Sequence, residues 1–163
     1  MAKDDDVSMQ LKLVTLLGEK LNKPIYEAVL FTKNGTIGIF PGHEPLVTLL
    51  VPGTMMIRYH KDDSDLKMDV LAISGGLAEI TRKEIIILAD EAESDSEISE
   101  KEARAAYERA VAAIKNVESG IELEEAKRLV QHQAARLKVA ELRRRHREMK
   151  WFRHWFFKHK RLS

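Results

Sequence analysis

The hydrophobic period of this chain changes once, near residue 90, and that change limits what it can fold into. Before it, Met9-Gln-Leu-Lys-Leu-Val-Thr15 alternates apolar and polar residues, the mark of a half-buried strand. Tyr26–Phe31, Leu46–Val51, Thr54–His60, Lys67–Ser74, Leu77–Thr81 and Ile85–Ala89 read as further strands. Pro52-Gly53, the polar run 61–65, Gly75-Gly76 and the run 82–84 separate them. Lys33-Asn-Gly-Thr36 is a hairpin signal, because Asn-Gly suits the positive φ values of a tight turn. No helix-length pattern intervenes, which argues against βαβ units. Many short strands with close turns predict an antiparallel β-sandwich or barrel over residues 9–92.

After Asp90 the period lengthens. Glu91–Glu97 reads as a polar connector, and Ser99 with Glu102 forms a capping box. Ala103, Ala106, Tyr107, Ala110, Ala113, Ile114 and Val117 then recur at helical spacing. Gly120 is a stop signal. Leu123, Ala126, Val130, Ala134, Leu137 and Glu141 mark a second helix. The short link between them predicts an antiparallel two-helix hairpin over 93–144. Its faces are mostly alanine, and each buried methyl-sized group contributes only about 0.8 kcal/mol. A weakly held hairpin that can open is expected.

Composition removes several functional classes. The chain has no cysteine, so disulfides, thiolate zinc sites and thiol nucleophiles are excluded. Its apolar runs are shorter than a membrane span. The start, Met1-Ala-Lys-Asp-Asp-Asp-Val7, is acidic and unlike a signal or transit peptide, and residues 1–8 read as a flexible acidic terminus. A soluble, cytoplasmic protein is expected. The net charge of +1 hides an asymmetry: residues 143–163 carry nine Lys and Arg against Glu148, leaving a net −7 on residues 1–142. A basic arm of this kind meets acidic partners.

No motif supports catalysis. In Gly38-Ile-Phe-Pro-Gly-His-Glu-Pro-Leu-Val47, His43 stands beside Glu44 in a segment stiffened by Pro41, Gly42 and Pro45. Neighbouring residues on a strand point to opposite faces, so the two do not converge on one ligand. Ser74 lies between strands rather than at a strand-to-helix elbow. Asn34-Gly-Thr-Ile-Gly38 lacks the Lys and Ser/Thr of a phosphate loop. Asp62, Asp63 and Asp65 lack the glycine and terminal glutamate of a calcium loop. His60 has no ligand-type partner at a known spacing. Catalytic, metal and cofactor residues are therefore expected to be absent, and a binding or structural role leads.

Four segments, in order, carry a resemblance: Gly35-Thr-Ile-Gly-Ile-Phe-Pro-Gly-His-Glu-Pro-Leu-Val-Thr48, Pro52-Gly53, Leu71-Ala-Ile-Ser-Gly-Gly-Leu-Ala-Glu79 and Ile87-Leu-Ala-Asp-Glu-Ala-Glu93. With the terminal hairpin, residues 9–142 resemble the epsilon subunit family of F-type ATP synthase. The resemblance implies a non-catalytic subunit at the foot of the central stalk, on the cytoplasmic face of the bacterial inner membrane. It implies contact with the gamma subunit and the ring of c subunits, coupling ion flow to ATP synthesis. It further implies a hairpin that can extend into the catalytic head and block ATP hydrolysis.

Carried over by position, the turn Thr36–Leu46, with His43 at its tip, is expected to meet the c-ring through Thr36, Ile37, Gly38, Phe40, Pro41, His43 and Glu44. Thr36 stands where many members have an acid, which removes one charge contact. Arg136, Lys138, Arg143 and Arg144 are the candidates for an acidic loop of the beta subunit. Some members bind ATP through Ile-Asp-x-x-Arg-Ala; here the segment reads Ile98-Ser-Glu-Lys-Glu-Ala103, with Ser99 for the aspartate and Glu102 for the arginine. An acid there repels phosphates, so no high-affinity ATP site is expected.

Residues 145–163 exceed the usual family length and read as a basic aromatic extension continuing the second helix. They hold both tryptophans and three of the five phenylalanines. Trp151, Phe152, Trp155 and Phe156 are the candidate anchors. Three occupants fit: an acidic protein groove such as the beta subunit, an anionic membrane interface, or the chain's own sandwich. Nucleic acid gains no support from the rest of the chain. The alternative to a stalk subunit is a free-standing adaptor whose tail binds membrane or acidic partners.

Overall fold

The computed structural model describes residues 8–117 and 119–159, for residues 146–159 as backbone only. The acidic start 1–7 and residues 160–163 lie outside it, as do the side chains of Trp151, Phe152, Trp155 and Phe156. Ten strands come first: β1 Met9–Thr15, β2 Gly18–Ile25, β3 Glu27–Thr32, β4 Gly35–Ile39, β5 Leu46–Leu50, β6 Gly53–Arg58, β7 Asp69–Ile73, β8 Gly76–Ile80, β9 Glu84–Ala89 and β10 Ala92–Ser94. Two helices follow, α1 Glu100–Ile114 and α2 Ile121–His159.

The pairings resolve into two five-stranded layers, β4-β3-β6-β7-β10 and β5-β8-β9-β1-β2. A single bridge, Thr32 to Leu50, joins them along one side. Alternate residues of both layers turn inward. Leu11 and Leu13 meet Ile85 and Ile87 from the neighbouring strand, with Leu30, Ile39, Met55, Ile57 and Ile80 in the same cluster. All nine are under 2% exposed. This apolar interior is the main term favouring the fold.

Three strands escaped the sequence reading, and each has a reason. β2 is an outer strand with Ile25 as its one fully buried residue, so it shows no period; Pro24 is tolerated at such an edge. β4 is the return arm of the Asn34 hairpin. β10 spans three residues inside the segment read as a polar connector, and pairs with β7. The antiparallel reading also needs a correction at β1 and β9, which run parallel. The first strand enters the second layer between β9 and β2, where Leu11 and Leu13 are buried.

The hairpin turn departs from expectation too. Asn34 keeps a negative φ and Gly35 takes +114°, opposite Thr32. The Thr32 hydroxyl accepts from the Asn34 N–H at 3.1 Å and donates to the Gly35 carbonyl at 2.8 Å, which holds the loop in place of a two-residue positive-φ turn.

Strand direction gives the sandwich two distinct ends. Turns 16–17, 33–34, 51–52, 74–75 and 90–91 share one, called here the turn end. Segments 40–45, 59–68, 81–83 and 95–99 share the other, called the hinge end because the chain leaves the sandwich there for α1.

α1 starts at the hinge end, with the Ser99 side chain accepting from the Glu102 N–H. α2 returns beside it and lies along the outer face of β6 and β7. It has two inward stripes. Ala134, Leu137 and Glu141 line a groove with Tyr107 of α1. Ala135, Val139 and Ala140 instead pack with Ala72 of β7, Ile98 and Ala103. The sequence reading found the first stripe and missed the second. It also placed Ala113 on the buried face of α1, where the structure leaves it exposed. Arg144 reaches Glu100 at 3.2 Å, so the start of α1 lies level with residue 144. Residues 145–159 continue α2 for about 22 Å beyond that point.

Candidate docking surfaces

The Phe40–Pro45 turn at the hinge end is built from Pro and Gly. Gly42 takes φ +86°, a left-handed conformation open to glycine. Its N–H donates to the Arg82 carbonyl at 3.0 Å, and the His43 N–H donates to the Phe40 carbonyl at 3.0 Å. The His43 ring is 2.7 Å from the Glu44 carbonyl, to which Nδ1–H donates. Glu44 in turn accepts from Arg82 at 3.0 Å. Phe40 packs edge-on against Tyr26 with centroids 5.8 Å apart. His43 is thus committed to its own backbone.

The expected turn Thr36–Leu46 is not one turn. Thr36, Ile37 and Gly38 belong to β4, because the register pairs Phe31 with Thr36 and Ala28 with Ile39. Thr36 sits at the turn end, about 13 Å along the strand from Phe40. The seven residues therefore divide, Thr36 at the turn end and Phe40, Pro41, His43 and Glu44 at the hinge end, with Ile37 and Gly38 between.

The two outer faces of the sandwich differ. α2 covers that of the first layer. On the second layer, Leu49, Leu77 and Leu88 stand side by side across β5, β8 and β9, at 61%, 37% and 50% exposed. Val47 and Ile86 flank Glu79 one pair further along. Such a row of exposed leucines is characteristic of a protein-contact surface.

The hairpin arginines are occupied. Arg136 binds the Glu93 carboxylate of β10 through Nε at 2.5 Å and a terminal nitrogen at 3.2 Å. Arg143 donates to the Asp95 carbonyl at 2.8 Å. Arg144 pairs with Glu100, and Lys138 is exposed. The segment read as a connector is therefore an acidic strap for α2. Lys20 reinforces it by binding Glu97 at 2.5 Å; that hydrogen bond, with two more from Ser94, holds the Glu97 carboxyl down at about 2.

His132, like the leucine row and Glu93, was not singled out by sequence reasoning. It is 9% exposed, on the sheet-facing side of α2, with Glu91 3.8 Å away and its Nε2 unpaired. It borders a cleft of about 660 Å³ between the β1–β2 turn, β10 and α2. Burial pushes its pKa below the ordinary value, against the opposing pull of Glu91 and Glu93. Its spacing from Ala135 and Val139 was the available signal: a helix with two inward stripes has to pack on both sides.

Ser74 serves the backbone. Its hydroxyl accepts from the Glu91 N–H at 2.9 Å, pinning the β7–β8 turn to the β9–β10 turn. Gly76 follows at φ +142°, where a Cβ would meet the Leu88 carbonyl at 2.1 Å. At the segment compared with an ATP motif, Ile98 is buried against α2 and Ser99 is used as the helix cap.

A sandwich with one bare apolar face, one face under a strapped basic hairpin, and two unlike ends is an assembly module. Residues 8–95 match the family described as ATP synthase, Delta/Epsilon chain, beta-sandwich domain. The chain is 37% identical over 119 residues to the chloroplastic ATP synthase epsilon chain of Adiantum capillus-veneris, covering 73% of this chain and 86% of that one. It is 35% identical over 136 residues to the ATP synthase epsilon chain of Herpetosiphon aurantiacus, covering 83% and 96%. Its fold matches a chain in the cryo-EM structure of the Euglena gracilis mitochondrial ATP synthase (OSCP/F1/c-ring) with a TM-score of 0.67 at 23% identity, covering 83% and 84%. The chain belongs to the ATP synthase epsilon chain family, and is a non-catalytic, peripherally membrane-associated subunit. Among the described residues, no helix is long and apolar enough to cross a membrane.

Proposed function

We propose that this subunit is the coupling foot of the rotary stalk and carries its own brake. The bare face of Leu49, Leu77 and Leu88 takes the gamma subunit. The turn end takes the polar loops of the c-ring. The hairpin, once released, brings Arg136, Lys138, Arg143 and Arg144 to an acidic loop of the beta subunit. The observation that carries this reading is the unlike cover of the two faces: α2 lies over one, and a leucine row stands exposed on the other.

The orientation follows from the hinge. A hairpin that enters the catalytic head has to unfold from segment 95–99, so the hinge end faces the head. The opposite end, with the Lys33-Asn34 loop and Thr36, then faces the ring. This moves the ring contact from His43 to Thr36 and leaves Phe40, Pro41, His43 and Glu44 on the stalk side. The membrane face in this reading is the cytoplasmic one of a bacterial inner membrane, although one relative of similar identity is a chloroplast protein.

Co-purification tests the reading. Leu49→Asp with Leu77→Asp should abolish recovery with gamma while the isolated chain keeps its fold by circular dichroism. Undiminished recovery would sink the reading.

A further inference from the structure

The path of α2 says where its end points. Three anchors mark it in order: His132 near Glu91, Arg136 on Glu93, and Arg143 on Asp95. On the sandwich these partners run from the turn end toward the hinge end, since β10 is antiparallel to β7 and exits at Asp95. α2 therefore tracks β10, and residues 145–159 leave past the hinge end for about 22 Å.

That overhang is chemically unlike the rest of the chain. Its sequence carries Arg145, Arg147, Lys150, Arg153 and Lys158 against the single acid Glu148. It holds both tryptophans, and Met149, Phe152 and Phe156 recur at three- and four-residue spacings. Arginine and tryptophan are the residues most enriched where protein partners are held. The excess of positive charge fits an acidic surface.

We propose that residues 145–159 are a standing contact for an acidic protein surface on the head side of the complex, engaged while the hairpin is still strapped to the sandwich. The choice of protein over lipid rests on the orientation argued above: with the turn end on the ring, the overhang points away from the membrane. Contact in the strapped state has a consequence for the brake. It tethers α2 near its partner, so that release of Arg136 and Arg143 is followed by capture within one assembly rather than from solution.

The test uses the full chain assembled into its ATP synthase. A photoreactive benzoylphenylalanine replaces Phe156. The natural chain has no cysteine, so Ala72→Cys with Val139→Cys, which pack in one cluster, can lock the hairpin down. Ala72→Cys with Ala135→Cys is the second lock, and non-reducing gels read closure of either. The expected result is a locked-state adduct within an acidic stretch of another protein subunit, lost when Lys150, Arg153 and Lys158 are all changed to Gln. An adduct only with lipid, only with the chain's own sandwich, or only after reduction of the lock overturns the proposal. The same probe at Asn34 separates the two ideas. A c-subunit adduct at Asn34 without a protein adduct at Phe156 sinks this inference alone. No c-subunit adduct at Asn34 sinks the orientation beneath it.

Discussion

Arg136 grips both oxygens of Glu93, so the guanidinium proposed to meet an acidic loop in the catalytic head already has an acidic partner in β10. The strap and the proposed external partner compete for the same group. Such competition turns a modest contact into a set point, because a partner shifts an equilibrium only by its differential affinity.

Glu93→Gln should loosen the hairpin. The pair is partly buried and two-pronged, so its loss costs on the order of 1 kcal/mol, about fivefold in the strapped-to-released ratio. Hydrogen exchange along α2 should speed up by that factor. In the assembled complex, ATP hydrolysis should fall as release becomes easier. Unchanged exchange would show that Glu93 is not part of the strap.

Acid should also release the hairpin. His132 is buried by docking, and burial lowers its pKa from the ordinary 6.5 despite Glu91 and Glu93, with Arg136 acting in the same direction as burial. A lowered histidine pKa means the released state binds the proton more readily. Docking is thus undisturbed above about pH 6.5 and weakens as pH falls below it, until the lower docked value is reached. Exchange of α2 amides, corrected for intrinsic rate, should rise between pH 7 and the acid range. His132→Leu should flatten that profile.

Gly76→Ala should be among the most damaging single changes in the sandwich. It combines φ +142° with a Cβ 2.1 Å from a backbone carbonyl oxygen, so a strand must move. A loss of roughly 3 kcal/mol or more is expected. Gly42→Ala meets nothing within 4 Å and bears only the cost of φ +86°, about 1 kcal/mol. Thermal melts of the two variants should differ accordingly.

Isothermal calorimetry of the isolated chain with ATP should show no micromolar binding. Ser99 is used as the cap of α1 and Glu102 brings an acid into the first turn. Micromolar heat would mean that phosphate recognition is supplied from elsewhere in the groove between sandwich and hairpin.

The layout of strands then hairpin was legible because β1 alternates in sequence, the apolar runs after it are short and separated by turn residues, and the helices recur at a longer period. β2 was not, since an outer strand facing solvent needs no apolar period. The second stripe of α2 was hidden by its own composition: Ala135 and Ala140 add little to a hydrophobic pattern, although they allow close approach to Ala72. The division of the docking residues was invisible for a different reason. Thr36 and His43 are near in sequence, and only the register of β4 against β3 sends them to opposite ends. The segment holding Glu93 and Asp95 read as a polar connector because the arginines that bind the Glu93 carboxylate and the Asp95 carbonyl lie more than forty residues away.

The parallel pairing of β1 with β9 has a consequence for biosynthesis. β1 is the first strand to be made, yet its place in the second layer, between β2 and β9, is complete only once Ala89 has followed it. Closing so long a loop is slow compared with zipping a hairpin. The leucine row needs the same late strand, since Leu88 is its last member. A nascent or half-folded chain therefore lacks the complete leucine row. If gamma docks on that row as proposed, folding itself acts as the inspection step, and only a finished sandwich presents the whole docking surface.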